Sequence, residues 1–219
     1  MTNRIAFICS HIPKCRVFAD VGCDHGYMTK YALDFHLCKR AYLADISAKC
    51  LQKAETLLKD YIEEGRCFSV CTDGLQNFPE QPDCVLIAGM GGEEMLSVLS
   101  RGELPQRFVL QPMKNAEKVR AFLLERGARI LTDITFADGK FYDLIAGYGQ
   151  GGDRYSELEI KFGRDNLKTY PQAFMQKIAA ERKKVLALLN GDSLSEESRK
   201  ELKVKLNELD DIVHAASGI

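Results

Sequence analysis

The sequence lacks any long hydrophobic run. None of its apolar stretches approaches the ~20 residues a membrane-spanning helix needs. The apolar stretch after Met1-Thr2-Asn3-Arg4 is interrupted by His11, Pro13 and Lys14, which argues against a secretory signal peptide. No membrane partner and a cytoplasmic location are therefore expected. Neither sign of charge is in excess: the formal net charge is −1, so a polyanionic partner would have to be held by local basic patches. Eight cysteines are present, all within the first 84 residues, but no C-x-x-C pair is found and the tightest spacing is Cys67-x-x-x-Cys71. That pattern predicts reduced thiols acting as small hydrophobes, with no metal and no disulfide framework. A G-x-G-x-x-G fingerprint is missing, which argues against NAD. Also missing is the Asn/Asp-Pro-Pro-aromatic sequence often found in enzymes that methylate exocyclic amines of bases. No internal repeat or low-complexity segment is visible.

What is present is an alternation of strand and helix. Ile5, Ile8, Cys9 and Ile12 lie on one face of a short helix that Pro13 ends. Arg16 to Val21 reads as a first strand, followed by a tight turn and a helix from Tyr27 to His36. A second strand covers Ala41 to Asp45. Ser47 can cap the next helix, whose stripe is Leu51, Ala54, Leu57, Leu58 and Ile62, with Gly65 closing it. Further strands are expected at Cys67–Cys71, Asp83–Ala88 and Arg107–Leu110, with helices at Glu93–Ser100 and Asn115–Arg126. The strands Ala128–Phe136 and Lys140–Tyr148 join at Asp138-Gly139 as a hairpin. Such alternation predicts a parallel, doubly wound sheet. A seventh strand entering antiparallel through a hairpin is the arrangement of class I S-adenosylmethionine-dependent methyltransferases.

Residues 151–219 differ in character. They show no strand alternation, and their basic and acidic residues balance. Phe174, Ile178, Val185 and Leu189 fit one helical face, and Leu202, Leu206, Leu209 and Val213 another. Asn190-Gly191-Asp192 separates them, and Ser193-Leu194-Ser195-Glu196 reads as a capping box. The expectation is a methyltransferase domain over 1–150 and a helical, coiled-coil-like hairpin over 151–219.

Three features point to the cofactor. Asp20-x-Gly22-x-x-x-Gly26 follows the first strand, and the N–H groups opening the next helix favour an anionic ligand group. Asp45 ends the second strand, followed by Ile46, and a carboxylate there can accept from ribose hydroxyls. Thr72-Asp73-Gly74-Leu75 follows the third strand; Asp73 can accept from an adenine amino group while Leu75 flanks the ring. Each feature alone is weak. Together they converge on the crevice where such sheets bind ligands, and they predict S-adenosylmethionine, with Asp24, His25, Ala88 and Gly89 also near it. The fourth strand runs into Ala88-Gly89-Met90-Gly91-Gly92, a flexible loop whose backbone can approach a flat base.

The segment Ala19-Asp20-Val21-Gly22-Cys23-Asp24-His25-Gly26-Tyr27 resembles the A-D-I-G-S-D-H-A-Y motif of the TrmK family, bacterial tRNA (adenine(22)-N(1))-methyltransferases. Ile87-Ala88-Gly89-Met90-Gly91-Gly92, Leu110-Gln111-Pro112 and Asp73-Gly74-Leu75 match its I-A-G-M-G-G, L-Q-P and D-G-L, and Asp138-Gly139-Lys140-Phe141-Tyr142 resembles its D-G-K-x-Y. The similarity covers residues 1 to about 150; the tail is similar in its helical character and in Lys161-Phe162-Gly163. Cys23 for Ser and Gly26 for Ala are the departures.

The resemblance implies methyl transfer to N1 of an adenine in the D-loop region of tRNA. Adenine positioning is then expected from Gly89, Met90, Gly91, Gln111-Pro112 and either His25 or Tyr27, although His25 could instead cap the turn or touch the cofactor. Phosphate contacts are expected from Lys14 and Arg16, Lys30, Lys39-Arg40, Lys114 and Lys118, and from Lys177, Arg182, Lys183 and Lys184 on the tail. Two other readings stay open: the same fold acting on a small molecule or protein, and a non-catalytic tRNA-binding scaffold. The tail could equally be a packing or dimerisation element, so monomer and weak dimer both remain.

Overall fold

A computed structural model describes residues 2–191 and 194–218. The first strand, β1 (Val17–Val21), is buried at every position. It is an inner strand of a seven-stranded sheet completed by β2 (Arg40–Asp45), β3 (Cys67–Cys71), β4 (Cys84–Ala88), β5 (Arg107–Gln111), β6 (Arg129–Asp138) and β7 (Lys140–Tyr148). The order is β3-β2-β1-β4-β5-β7-β6. β1 to β5 pair in parallel, and β7 runs antiparallel between β5 and β6. The order reverses between β1 and β4, which opens a crevice at the carboxyl ends of the strands.

Side chains alternate between the two faces of the strands. Phe18, Leu43 and Leu86 pack beneath α1 (Asn3–Cys9), α2 (Tyr27–Asp34) and α3 (Ala48–Leu57). On the other face, Val17, Ala19, Val85 and Ile87 meet Met95 and Leu99 of α5 (Gly92–Ser100) and Val119 and Leu123 of α6 (Ala116–Glu125). The stripe expected to run on to Ile62 is broken: Leu58 leaves helical geometry and a short α4 (Lys59–Glu63) follows. Helix α1 likewise ends at Cys9, and Ile12 is buried from the turn beyond it. Cys9, Cys23, Cys38, Cys67 and Cys84 are buried and free. Burial pushes the thiols of Cys9, Cys38 and Cys67 up to about 12, so they behave as small hydrophobes. No helix among the described residues is long and apolar enough to cross a membrane.

The tail is more than a hairpin. Two short helices, α7 (Glu157–Phe162) and α8 (Arg164–Thr169), precede the long α9 (Gln172–Leu189) and α10 (Glu196–Ser217). The long pair buries Phe174, Ile178, Val185, Leu209 and Ile212 against one another. Ile212 is buried where Val213 was expected, and Val213 sits beside it, partly buried. Ser195, whose hydroxyl accepts from Ser198 N, caps α10. Asp192 and Ser193, the expected linker and cap, lie outside the described residues.

The short helices fasten the tail to the sheet through buried polar groups. Arg120 of α6 and Asp133 of β6 are almost fully buried and bond at 2.8 Å. Arg120 also donates to the carbonyls of Ile160 and Lys161 at the end of α7. Asp165 accepts from Asp133 N, Asn166 Oδ1 accepts from Thr135 N, and Asn166 donates to Thr135 Oγ1. Lys177 of α9 donates to Asp143 of β7 at 2.8 Å. Gly163, between α7 and α8, has φ +90°, and a side chain there would strike Asn166, Asp133 and Arg120, so only glycine fits.

Candidate active site

Three strand ends and one loop frame a cleft of 390 Å³ lined by Val21, Gly22, Asp45, Ile46, Thr72, Asp73, Met90, Glu94, Ser97, Val98 and Arg101. Gly22 turns the chain out of β1 at φ +74°, and the methyl of Met90 lies 2.7 Å from where a Cβ would stand. A side chain there would fill the cradle between β1 and the β4 loop. Asp45 Oδ1 accepts from Ser47 N at 2.8 Å, which fixes the carboxylate and leaves its other oxygen for a ligand. Asp73 forms an ion pair with Arg101, whose carbonyl accepts from Gln76. Glu94 accepts from Gly91 N at 2.9 Å and holds the loop at the start of α5. Three carboxylates against one guanidinium give the cleft a negative balance, which suits hydroxyl, amino and cationic ligand groups. Ile46, 73% exposed, and Val98 supply the apolar surface.

Other expected residues stand behind or beside the cleft. Asp20 is 2% exposed, facing α2, where it accepts from Thr29 Oγ1 at 2.9 Å. Burial pushes its carboxyl up to about 6. Gly26 lies against Ala54 and Leu58, so its small size serves helix packing. Gly74 and Leu75 are buried, Leu75 in the core with Leu99, while Val98 lines the cleft wall. Asp24 and His25 are on the exposed lip, joined by a 2.7 Å contact, with Lys53 3.8 Å from Asp24. The His25 ring stacks on Tyr27 at 5.7 Å.

The loop Ala88–Gly92 and the end of β5 form the far side. Gln111 is fully buried, and both ends of its amide are taken: Oε1 accepts from Arg4 Nε at 2.9 Å, and Nε2 donates to Pro112 O at 2.9 Å. It is a strut beneath the loop rather than a free reader of a base. Sequence reasoning missed Arg4. Its guanidinium also lies over Tyr142 at 5.0 Å and 3.1 Å from where a Gly89 side chain would begin, while its backbone N–H donates to Asp138. A lone arginine in a short amphipathic helix carries no local signal of this; only folding brings α1 to the ends of β4 and β5.

The basic residues scatter. Lys14, Arg16 and Lys39 precede β1 and β2, and Arg40 opens β2, so they lie at the amino ends of the strands, opposite the cleft. Arg16 and Arg40 also pair with Glu80. Lys118 pairs with Glu93. Lys177 is bound to Asp143 and Arg182 to Asp210, so the expected helix stripe is reduced to exposed Lys183 and Lys184. Lys114 follows β5 and lies against Gly91, in the loop at the end of β4.

Fold and cleft define a methyltransferase domain of the doubly wound class. Residues 1–145 match the family model described as a methyltransferase domain. The chain is 32% identical over 148 residues to the Mycoplasma pneumoniae protein named "Putative tRNA methyltransferase", covering 66% of this chain and 70% of that one. It is 28% identical over 172 residues to the Bacillus subtilis tRNA (adenine(22)-N(1))-methyltransferase, covering 74% of this chain and 71% of that one. The structure of Mycoplasma capricolum TrmK in complex with S-adenosyl-homocysteine superposes with a TM-score of 0.89 at 21% identity, over 98% of each chain, a likeness of fold. The chain belongs to the TrmK family of methyltransferases.

Proposed function

We propose that the protein transfers the methyl group of S-adenosylmethionine to N1 of the adenine at position 22 of tRNA. The observation that carries this is the adjacency of two things in a TrmK-family chain: a cleft with carboxylates at the ends of β2 and β3, and a side-chain-poor loop at the end of β4. The residues present fit the cofactor. Asp45 has one oxygen free for ribose hydroxyls, Thr72 and Asp73 face the place for the adenine, Ile46 and Val98 flank it, and the cradle at Gly22 admits backbone approach. When bound, the cofactor supplies a methyl group already activated on a sulfonium.

The protein's own work is positioning and exclusion of water. Adenine N1 is a neutral lone-pair nucleophile with no proton to remove. One N–C bond forms as one C–S bond breaks, and the products are a cationic 1-methyladenosine and S-adenosylhomocysteine. No general base is required. The Gly89–Gly92 backbone, braced from below by Gln111 and Arg4, forms the surface on which a base can lie flat, with His25 and Tyr27 at its open edge. The target base has to leave its stack to reach this surface. Residues 1–150 carry the chemistry in this reading. Residues 151–219, with Lys183 and Lys184 exposed on α9, add tRNA contacts, and a tRNA substrate places the protein in the cytoplasm.

The test is methylation of unmodified tRNA followed by nucleoside analysis. One 1-methyladenosine per tRNA, lost when position 22 is changed to guanosine, is the expected result. Absence of 1-methyladenosine with any tRNA would overturn the reading.

A further inference from the structure

A second cavity, of 660 Å³, adjoins the edge formed by His25 and Tyr27 and shares Tyr27 with it. Thr2 and Ile5 of α1 and Tyr27, Lys30, Tyr31, Asp34 and Phe35 of α2 and its cap line it. Tyr27, Tyr31 and Phe35 are spaced four residues apart, so they rise one above another on a single helix face. Tyr31 is half-buried against the core, but packing leaves Tyr27 52% exposed and Phe35 62% exposed. Tyr31 and Phe35 have ring centroids 4.4 Å apart and form a continuous aromatic wall.

The wall is continuous with the reaction end at two points. At its top, Tyr27 stacks on His25 at the lip of the cleft, with the two rings only 9° from parallel. Along α1, neighbouring residues divide between the two places: Arg4 reaches Gln111 under the Gly89 loop, while Ile5 lines the cavity. The charge inside is compensated, because Lys30 holds both oxygens of Asp34 at 2.9 Å. Among the described lining residues the charges are balanced, with Lys30, expected to contact phosphate, paired with Asp34. A flat, uncharged ring is the ligand that matches.

We propose that this cavity receives a second, unstacked nucleobase of tRNA, adjacent to the target adenine, against Tyr31 and Phe35. The proposal rests on the tRNA reading of the cleft. Extruding one base unstacks its neighbour. An aromatic wall restores stacking worth about 1–3 kcal/mol per base, with little dependence on sequence. The wall thereby holds the strand open where the target base has left it.

The sequence contains no tryptophan, so Phe35→Trp introduces a single fluorophore into the wall. Titration with unmodified tRNA should quench its emission saturably, and S-adenosylmethionine alone should not. Leu131→Trp, at an exposed position of β6 away from the wall, should not respond. In methylation assays Phe35→Ala should raise KM for tRNA about tenfold, as loss of one stacked base requires, with kcat and cofactor affinity retained. Unquenched emission together with an unchanged KM, in a protein whose wild type methylates tRNA, would overturn the proposal. Emission that shifts with protein concentration alone would also overturn it, assigning the face to a second copy of the chain. Because the fluorescence titration reads binding without turnover, loss of the methylation reading and loss of this proposal are separate results.

Discussion

The cleft at the ends of β1–β4 and the seam beneath α7–α9 both gather carboxylates and guanidinium groups, but they treat water in opposite ways. In the cleft, Asp45 and Asp73 stand at strand ends with solvent beside them, and Asp73 and its partner Arg101 are both substantially exposed. Such a pair contributes little to stability and is free to exchange partners with a ligand. In the seam, Arg120 and Asp133 are 1% and 0% exposed, and Asp165, Asn166 and Arg164 match the polar groups of β6, while Arg120 Nη2 and the Tyr155 hydroxyl have no hydrogen-bond partner among the described residues. The attraction between them keeps the Asp133 carboxylate from rising as far as burial alone would take it. Exposed charge is available for binding, whereas buried, paired charge specifies how two parts of the chain dock.

Arg120→Ala should break this contrast most severely. It leaves Asp133 buried without its partner, and the expected cost is about 3–5 kcal/mol in urea unfolding. A loss below about 1 kcal/mol would mean that the seam is hydrated. For the same reason, truncation after Gly152 is a folding experiment as much as a binding one, because it strips Asn166 from Thr135 and Lys177 from Asp143.

Asp20 sits between the two cases, a cleft-motif residue with the burial of a seam residue. Its carboxyl is neutral in the fold up to about 6 but ionises near 3.8 in the unfolded chain. The stability it contributes is therefore complete below 3.8 and is lost as pH rises to about 6. Over that window the wild type should lose about 3 kcal/mol relative to Asp20→Asn. Parallel pH profiles of the two proteins would remove Asp20 as the titrating group.

Asp45→Ala tests the cleft side. Cofactor affinity measured by calorimetry should fall by about 2 kcal/mol, roughly thirtyfold, as charged hydrogen bonds are lost. Thermal stability should change little, because only the Ser47 N–H contact goes with it. Unchanged affinity would take Asp45 out of the site. The smallest effect is expected from Arg4→Ala: about tenfold in kcat/KM for tRNA, or ~1.4 kcal/mol, with cofactor affinity unaltered. An equal loss of cofactor binding would show that the strut under the Gly89 loop supports the cleft as well.

Much of the fold was legible because it depends on local pattern. Alternating apolar strands, glycine turns and the Asp138-Gly139 hairpin prescribe a doubly wound sheet closed by an antiparallel strand, and that sheet is found. Asp45 and Asp73 were legible for a related reason: a parallel sheet sends every strand's carboxyl end to one edge, so sequence position gives location. Lysines carry no such rule. Lys14 and Arg16 lie at the end of the sheet opposite the cleft, and Lys177 and Arg182 are paired with Asp143 and Asp210. The two short helices of the tail escaped notice because six-residue helices hold too few turns to show a period.

By itself, then, the sequence determined the sheet, the strand ends that carry Gly22, Asp45 and Asp73, and the family motifs around them, since these follow from chain direction and short-range pattern. Tertiary structure alone decided that Arg4 braces Gln111, that Leu75 goes into the core and Val98 onto the cleft wall, and that Arg120 and Asp133 lock the tail to β6. It also decided that Tyr27 and Phe35 stay exposed on either side of the half-buried Tyr31. Each of these depends on contacts between residues far apart in the chain, and burial, which sets their energies, is a property of the assembled layers rather than of any segment.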